Sequence, residues 1–335
     1  MRAKLEKLLS REALSQEEAY SLLCSVGSGK ANSAQLAAFM SVYRLREITL
    51  GELRGFRSAL LELAVPVNID SRNAIDLCGT GGDGRNSFNI STLSCFVVAA
   101  CGGRVVKHGN YGVSSISGSS TVLENLGYRF TNDSSSLERS LEESGVCFLH
   151  APLFHPALKH VAEPRKELGT RTFFNMLGPL VNPATPAYRL TGVFSNELLR
   201  KYQYLLQETN EIYTLVHSDD GYDEISLTAP VKVVTNVASK VYSPREFGLS
   251  RVNESELSGG STAKEATGIF LNILEGNGTP AQNNVVAVNS AAALLTLGKV
   301  DSISSGVEIA RDALVSGKAK SQFKKFMEAA LPVKA

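Results

Sequence analysis

The 335-residue chain has almost no net charge, since 34 Lys and Arg against 33 Asp and Glu leave +1. That excludes a strongly basic protein built to coat nucleic acid, although a local basic patch stays open. Long apolar runs are also missing. The most apolar short run, Cys95–Cys101 (CFVVAAC), falls far short of the roughly 20 residues that a bilayer span requires. The first residues, MRAKLEKLLSREALSQEE, carry acids early and lack the apolar stretch of about 7–15 residues found in a secretory signal. Cysteine is scarce and odd in number: Cys24, Cys78, Cys95, Cys101 and Cys147, with no C-x-x-C pair. Closed structural zinc sites want paired ligands at short spacing, so free thiols packing as small apolar side chains are the simpler reading. Together these absences lead to the expectation of a cytoplasmic, non-membrane protein. The five His are scattered, and no H-E-x-x-H occurs.

What is present is a globular composition. Apolar residues make up 43% and charged residues 20%, which excludes wholesale disorder. At about 150 residues per domain, the length suggests two domains.

Residues 1 to about 66 read as helical. Ser15 with Glu18, and Thr49 with Glu52, fit capping boxes. Leu36, Phe39, Met40 and Tyr43 share one helical face, as do Leu50, Leu53, Phe56 and Leu60. Pro66 ends the run. From about residue 74 short apolar runs alternate with helical patterns. Strands are expected at Ala74–Cys78, Arg104–Lys107, Tyr128–Thr131, Val146–Leu149, Arg189–Phe194, Glu211–His217 and Lys232–Val237. Helices are expected between them, at Thr92–Ala100, Ser119–Leu126, Ser136–Glu143 and Glu197–Glu208. This alternation implies an α/β fold with a mostly parallel sheet. The last third reads as helical, over Thr262–Leu274, Asn284–Leu297 and Ser305–Val315, with Gly317 just past the final helix.

Two short polar stretches fall where a strand hands over to a helix, which is where open α/β sheets bind ligands. The first, Asp76–Thr92, reads DLCGTGGDGRNSFNIST. Its glycines let a phosphate approach the backbone, but it matches neither a Walker A loop nor G-x-G-x-x-G. Alone it leaves a phosphate cradle and an ordinary surface turn both open. The second, Lys107–Ser120, reads KHGNYGVSSISGSS. One Lys amid many small hydroxyls describes a pocket for a polyanion with ribose hydroxyls, against the alternative of a serine-rich linker.

These two stretches, together with SGSSTVLENLG, the run from His155 to Pro183 (HPALKHVAEPRKELGTRTFFNMLGPLVNP) and GYDEISLTAP, resemble the anthranilate phosphoribosyltransferase family. The resemblance covers essentially the whole chain, with the motifs in order. It implies transfer of phosphoribose from phosphoribosyl pyrophosphate to the amine of anthranilate, a step of tryptophan synthesis. It implies a small all-helical N-terminal domain, residues 1–66 with about 164–180 returning to it. A large α/β domain of the nucleoside phosphorylase/phosphoribosyltransferase kind, 67–163 and 181–335, would complete the chain. The family places the active site in the cleft between the domains and forms homodimers through the helical one.

By the same resemblance, Gly79, Gly82, Asp83, Ser87, Asn89, Ile90, Ser91 and Thr92 hold phosphoribosyl pyrophosphate. Lys107, His108, Gly109, Asn110, Tyr111, Gly112, Val113, Ser114, Ser115 and Ser119 complete that site. Gly79, Asn110 and Arg165 contact anthranilate, with His155 and Pro179 flanking the acceptor pocket. Ser91, Asp223 and Glu224 ligate two Mg2+ ions, Glu224 touching both. The chemistry agrees: adjacent carboxylates suit magnesium, and an Arg fork suits an aromatic carboxylate. No residue in the motifs is an evident general base.

The chain departs from the family at Tyr111, where Arg is usual, at Ser87 for Thr, and at Thr121, where Asp is common. Cys78 stands at an ordinarily apolar position. Two competing readings remain: a pyrimidine nucleoside phosphorylase of the same fold, whose first loop typically reads K-H-S-T-G-G, and a non-enzyme paralogue that binds nucleic acid. The DLCGTGGD and KHGN sequences and the Asp223–Glu224 pair favour the pyrophosphate donor, and the +1 charge argues against nucleic acid.

Overall fold

The computed structural model describes residues 1–112 and 117–330. They form two units: Met1–Val67 with Ala151–Pro183, and Asn68–His150 with Ala184 onward.

The first unit is helical. Arg2–Leu9, Gln16–Gly27, Ser33–Leu45 and Leu50–Glu62 form its N-terminal helices. Both expected capping boxes are made, and a third joins Asn32 to Gln35. Glu52 does more than cap. It is fully buried, and accepts from the Thr49 amide at 2.9 Å, the Leu14 amide at 3.1 Å and the Tyr43 hydroxyl at 2.9 Å. Burial pushes this carboxyl up, but its bonds to Arg46 and these amides hold it below its usual value.

The chain re-enters this unit at Ala151, earlier than the expected return near residue 164. The early part is held by the Val65 amide, which donates to the Phe154 carbonyl at 2.8 Å, and by the helix Gln16–Gly27 packing on Pro156–Leu158; the later part is held by aromatic packing. Phe173 lies 4.8–5.1 Å, ring centre to centre, from Phe39, Tyr43 and Phe56. The faces that the N-terminal helices present are thus completed by a segment more than 100 residues later.

The second unit is built on a seven-stranded sheet. Its strands are β1 (Ala74–Gly79), β2 (Arg104–Gly109), β3 (Val146–His150), β4 (Tyr188–Gly192), β5 (Ile212–Ser218), β6 (Val231–Thr235) and β7 (Ser239–Tyr242). Their order is β3-β2-β1-β4-β5-β6-β7; the first five run parallel, and β6 and β7 add an antiparallel edge. The helix Ile90–Ala100 is apolar nearly all round because it is buried nearly all round. It packs among the helices Pro280–Thr296 and Lys318–Ala329 and the strand β1.

One expectation fails and two elements were not expected. Tyr128–Thr131 is not a strand. Its alternation reflects packing: Tyr128 stacks on Phe326 at 4.3 Å and Phe130 on His150 at 4.2 Å, with no strand ladder. The edge strand β7 is short and exposed, so it carries no apolar alternation to find. Gly317 does lie just past the helix Ile303–Val315, as expected, but at φ +77° it also turns the backbone into a further helix, Lys318–Ala329, that the sequence reading missed.

Candidate active site

Strand order reverses between β1 and β4, because β1 continues toward β2 while β4 continues toward β5. A crevice opens beyond the carboxyl ends of such strands. Both ends are glycine, Gly79 on β1 and Gly192 on β4. A Cβ on Gly79 would lie 2.3 Å from the Asp223 carboxylate, and one on Gly192 would lie 1.5 Å from the Asp223 carbonyl oxygen. The connection between β5 and β6 therefore runs directly over this edge, and only glycine leaves room for it.

That connection is tightly held. Ser218 Oγ donates to the Glu224 carbonyl at 2.7 Å. Asn289, buried on the helix Pro280–Thr296, accepts from the Ile225 amide at 3.0 Å and donates to the Ile225 carbonyl at 2.9 Å. One side-chain amide thus satisfies both polar groups of a buried residue next to Glu224.

The first polar stretch meets it. Gly81, Gly82 and Gly84 take positive φ, from +61° to +77°, which turns backbone toward the sheet edge. The Gly81 amide donates to Asp223 Oδ2 at 2.6 Å. Asp83 accepts from the Arg85 amide at 2.9 Å, while its Oδ2 is buried with no hydrogen-bond partner among the described residues. The helix Ile90–Ala100 starts here, and the Ser91 amide bonds the Glu224 carboxylate. Lys107, buried at the far end of β2, donates to the Leu77 carbonyl and to Ser91 Oγ, the latter at 3.2 Å.

The electrostatics are unbalanced. Burial, then the charge of Asp83, pushes the Asp223 carboxyl up to about 7. Burial, then Asp223, pushes Glu224 up to about 8, with Lys107 pulling the other way. Burial also raises Asp83. Lys107 offsets part of this at Glu224 and Arg85 part of it at Asp83, yet all three carboxyls stay raised, an arrangement that favours added positive charge. Among the described residues no three His, Cys, Asp or Glu side chains form a ready-made metal cage.

The second stretch is also organised. The Asn110 carbonyl accepts from the Ser120 amide at 3.1 Å and Ser119 Oγ at 3.2 Å, while Asn110 Oδ1 accepts from the Tyr111 amide at 2.8 Å. Asn89 Nδ2 donates to the Ser117 carbonyl at 3.0 Å and so joins the two stretches. Tyr111 has its own partners: its hydroxyl donates to Glu124 at 3.2 Å, and its ring meets the edge of His150 at 5.0 Å. His150 in turn shares a 2.9 Å hydrogen bond with Ser120. His108 and Gly109 close β2, the His108 amide donating to Asp76 at 3.2 Å, and Gly112 follows Tyr111. Val113, Ser114 and Ser115 lie outside the described residues.

Arg165 belongs to the helical unit, near the end of the helix Lys159–Leu168. It donates to Asn175 Oδ1 at 3.4 Å and lies over the Phe174 ring at 5.4 Å. Burial lowers its pKa, and no carboxylate pairs with it among the described residues. A part-buried guanidinium in that state suits an anionic ligand. His155 hydrogen-bonds the Val181 carbonyl at 2.9 Å, within the same unit.

Of the expected donor and metal residues, Gly79, Asp83, Ser91, Lys107, Asp223 and Glu224 are gathered at one sheet edge. Reading the sequence missed Gly192, Asn289 and Thr80, whose hydroxyl donates to Asp223 Oδ2 at 3.5 Å. Gly192 carried a signal, a glycine inside an expected strand. Asn289 carried none, because a single Asn in an apolar helix does not reveal its partner.

This fold and site define a glycosyl transferase. The model of the glycosyl transferase family a/b domain matches residues 71–320, and that of its helical bundle domain matches residues 2–64. The anthranilate phosphoribosyltransferase of Flavobacterium psychrophilum is 50% identical, with 99% of this chain and 100% of that one aligned. The crystal structure of the Thermus thermophilus anthranilate phosphoribosyltransferase superposes with a TM-score of 0.89 at 34% identity, covering 97% of this chain and 98% of that one. The Saccharomyces cerevisiae enzyme, in complex with phosphoribosyl pyrophosphate and Mg, gives 0.88 at 26% identity, covering 97% and 96%. The chain belongs to the anthranilate phosphoribosyltransferase family. These likenesses favour neither the nucleoside phosphorylase nor the nucleic-acid-binding alternative.

Proposed function

We propose that the chain transfers the phosphoribosyl group of phosphoribosyl pyrophosphate to the amine of anthranilate, giving N-(5-phosphoribosyl)anthranilate and pyrophosphate. The observation that carries this reading is the meeting of the Gly79–Thr92 stretch with Asp223 and Glu224 over the ends of β1 and β4.

In this reading the donor is held by Gly79, Gly82, Asp83, Ser87 and Asn89–Thr92, and by Lys107–Ser115 with Ser119. Two magnesium ions are held by Ser91, Asp223 and Glu224. The crowded carboxylates fit such ions: they are hard oxygen donors whose charge is costly without a cation. Magnesium, when bound, supplies positive charge against the departing pyrophosphate. The protein's own part is positional. Turned backbone amides and Lys107 orient the polyphosphate, and the anomeric carbon gains oxocarbenium character as its bond to pyrophosphate breaks. Arg165 binds the anthranilate carboxylate, with Asn110 and Gly79 beside the ring. The aniline nitrogen is neutral at pH 7 and needs no general base. A homodimer and a cytoplasmic location go with this reading.

The test is direct. Anthranilate fluorescence should fall when phosphoribosyl pyrophosphate and magnesium are both added, and should hold steady when either is omitted. Unchanged fluorescence with all three present would refute the assignment.

A further inference from the structure

The glycine stretch contains one cation that the proposed chemistry does not use. Arg85 lies in its second half. Its Nη2 donates to the Asp220 carbonyl at 2.6 Å, and its guanidinium lies 4.8 Å from the centre of the Tyr222 ring. Its Nη1 pairs with Glu254. Asp220 and Tyr222 belong to the same connection as Asp223 and Glu224. One side chain therefore joins its own loop to two segments that are 135 and 169 residues away from it in sequence.

The backbone around Arg85 is fastened on the same side. The Gly259 amide donates to the Asn86 carbonyl at 2.6 Å, and the Phe88 amide to the Leu257 carbonyl at 3.0 Å. Asn86 Nδ2 donates to the Gly260 carbonyl at 2.7 Å. The half of the loop that follows Arg85 is thus stitched to the 254–260 segment. The half before it, Gly81–Gly84, contains three positive-φ glycines and meets the connection through the bond of the Gly81 amide to Asp223. Arg85 stands at the junction. The Asp220 carbonyl it holds lies three residues before Asp223, and Asp223 in turn receives the Gly81 amide.

We propose that Arg85 is a positioning residue that clamps the glycine loop to the Asp219–Glu224 connection, so that the amides and carboxylates for the pyrophosphate donor hold one geometry before it arrives. The proposal rests on the function proposed above. Arg85 touches no reacting atom; it acts through Asp220 and Tyr222. A lysine would keep the charge toward Glu254 but lose the flat guanidinium that lies over the ring while bonding a carbonyl.

The test compares the parent with Arg85→Ala, Arg85→Lys and Tyr222→Leu. Binding of phosphoribosyl pyrophosphate with magnesium is measured by calorimetry without anthranilate, and both KM values by the fluorescence assay. Arg85→Ala should weaken donor binding and raise the donor KM about tenfold, with the anthranilate KM within about twofold of the parent. Arg85→Lys should recover only part of the loss, and Tyr222→Leu should show a smaller loss of the same kind. A lower melting temperature with unchanged donor binding would make Arg85 a purely structural clamp and overturn the proposal. Equal loss in both KM values would also overturn it. If Arg85→Ala does not fold, Tyr222→Leu and Arg85→Lys decide alone by the same donor-against-acceptor split. A parent that binds no donor at all would instead refute the proposed function.

Discussion

The α/β unit buries acids in two places and treats them in opposite ways. Within the sheet, Asp76 on β1 lies 4.0 Å from the Arg189 guanidinium of β4, and Arg189 Nε donates to Glu211 at 2.6 Å. Arg189 is almost wholly buried; burial pulls its pKa down, but Glu211 and Asp76 more than offset this and hold it up. Beyond the strand ends, burial pushes the Asp83, Asp223 and Glu224 carboxyls up; repulsion from Asp83 adds to this at Asp223 and repulsion from Asp223 adds to it at Glu224, while Arg85 and Lys107 offset only part of it. The first cluster is internally satisfied and serves the fold. The second is short of positive charge, and in the proposed reading bound magnesium completes it. A buried acid therefore marks a site only when its own chain leaves it uncompensated.

Neutralising the uncompensated cluster is the strongest way to break this contrast. Asp223→Asn with Glu224→Gln should lower turnover by about a hundredfold or more, at every magnesium concentration, with partial recovery only at very high ones. The metal-free fold should stay intact by thermal melt. Full activity with a normal magnesium profile would make the pair an ordinary acidic turn.

The compensated cluster should behave in reverse. Arg189→Leu strands Asp76 and Glu211, and should cost about 3–5 kcal/mol in urea unfolding. A loss below about 1 kcal/mol would show that the sheet does not depend on this cation.

Arg165 in the helical unit extends the contrast to a cation without an acid. Arg165→Ala should raise the anthranilate KM about tenfold to a hundredfold, leaving the donor KM nearly unchanged. An unchanged anthranilate KM would remove Arg165 from the acceptor site.

The smallest effect is a pH dependence. Asp223 near 7 and Glu224 near 8 lie above the value of about 4 expected in an unfolded chain. Between those limits the folded state binds more protons than the unfolded one, so these two groups make stability fall as pH rises. The melting temperature of the metal-free double variant, minus that of the parent, should therefore widen from pH 5 to pH 8.5. A constant difference would mean that the two carboxylates titrate normally.

Much of the architecture was legible from local signals. The capping boxes at Ser15 and Thr49 formed as read, and five parallel strands appeared where short apolar runs stood between helical patterns. Tyr128–Thr131 misled because an extended aromatic segment packed on its neighbours has the same alternation as a paired strand. Tyr111 shows the same limit at the site. Sequence comparison marks a missing cation, whereas the structure gives it a bond to Glu124 and a place against His150.

By itself, then, the sequence determined which residues form helices and strands, where the polar loops fall, and which family chemistry they carry. These follow from spacing and residue type along the chain. Tertiary structure decided which acids are balanced and which are not. Asp76 and Asp223 look alike in sequence, but Arg189 reaches one from a neighbouring strand, while the other lies over Gly79 and Gly192 beside two more carboxylates. Charge balance depends on distance and burial, and both are set by strand order and by the path of one connection across the sheet edge.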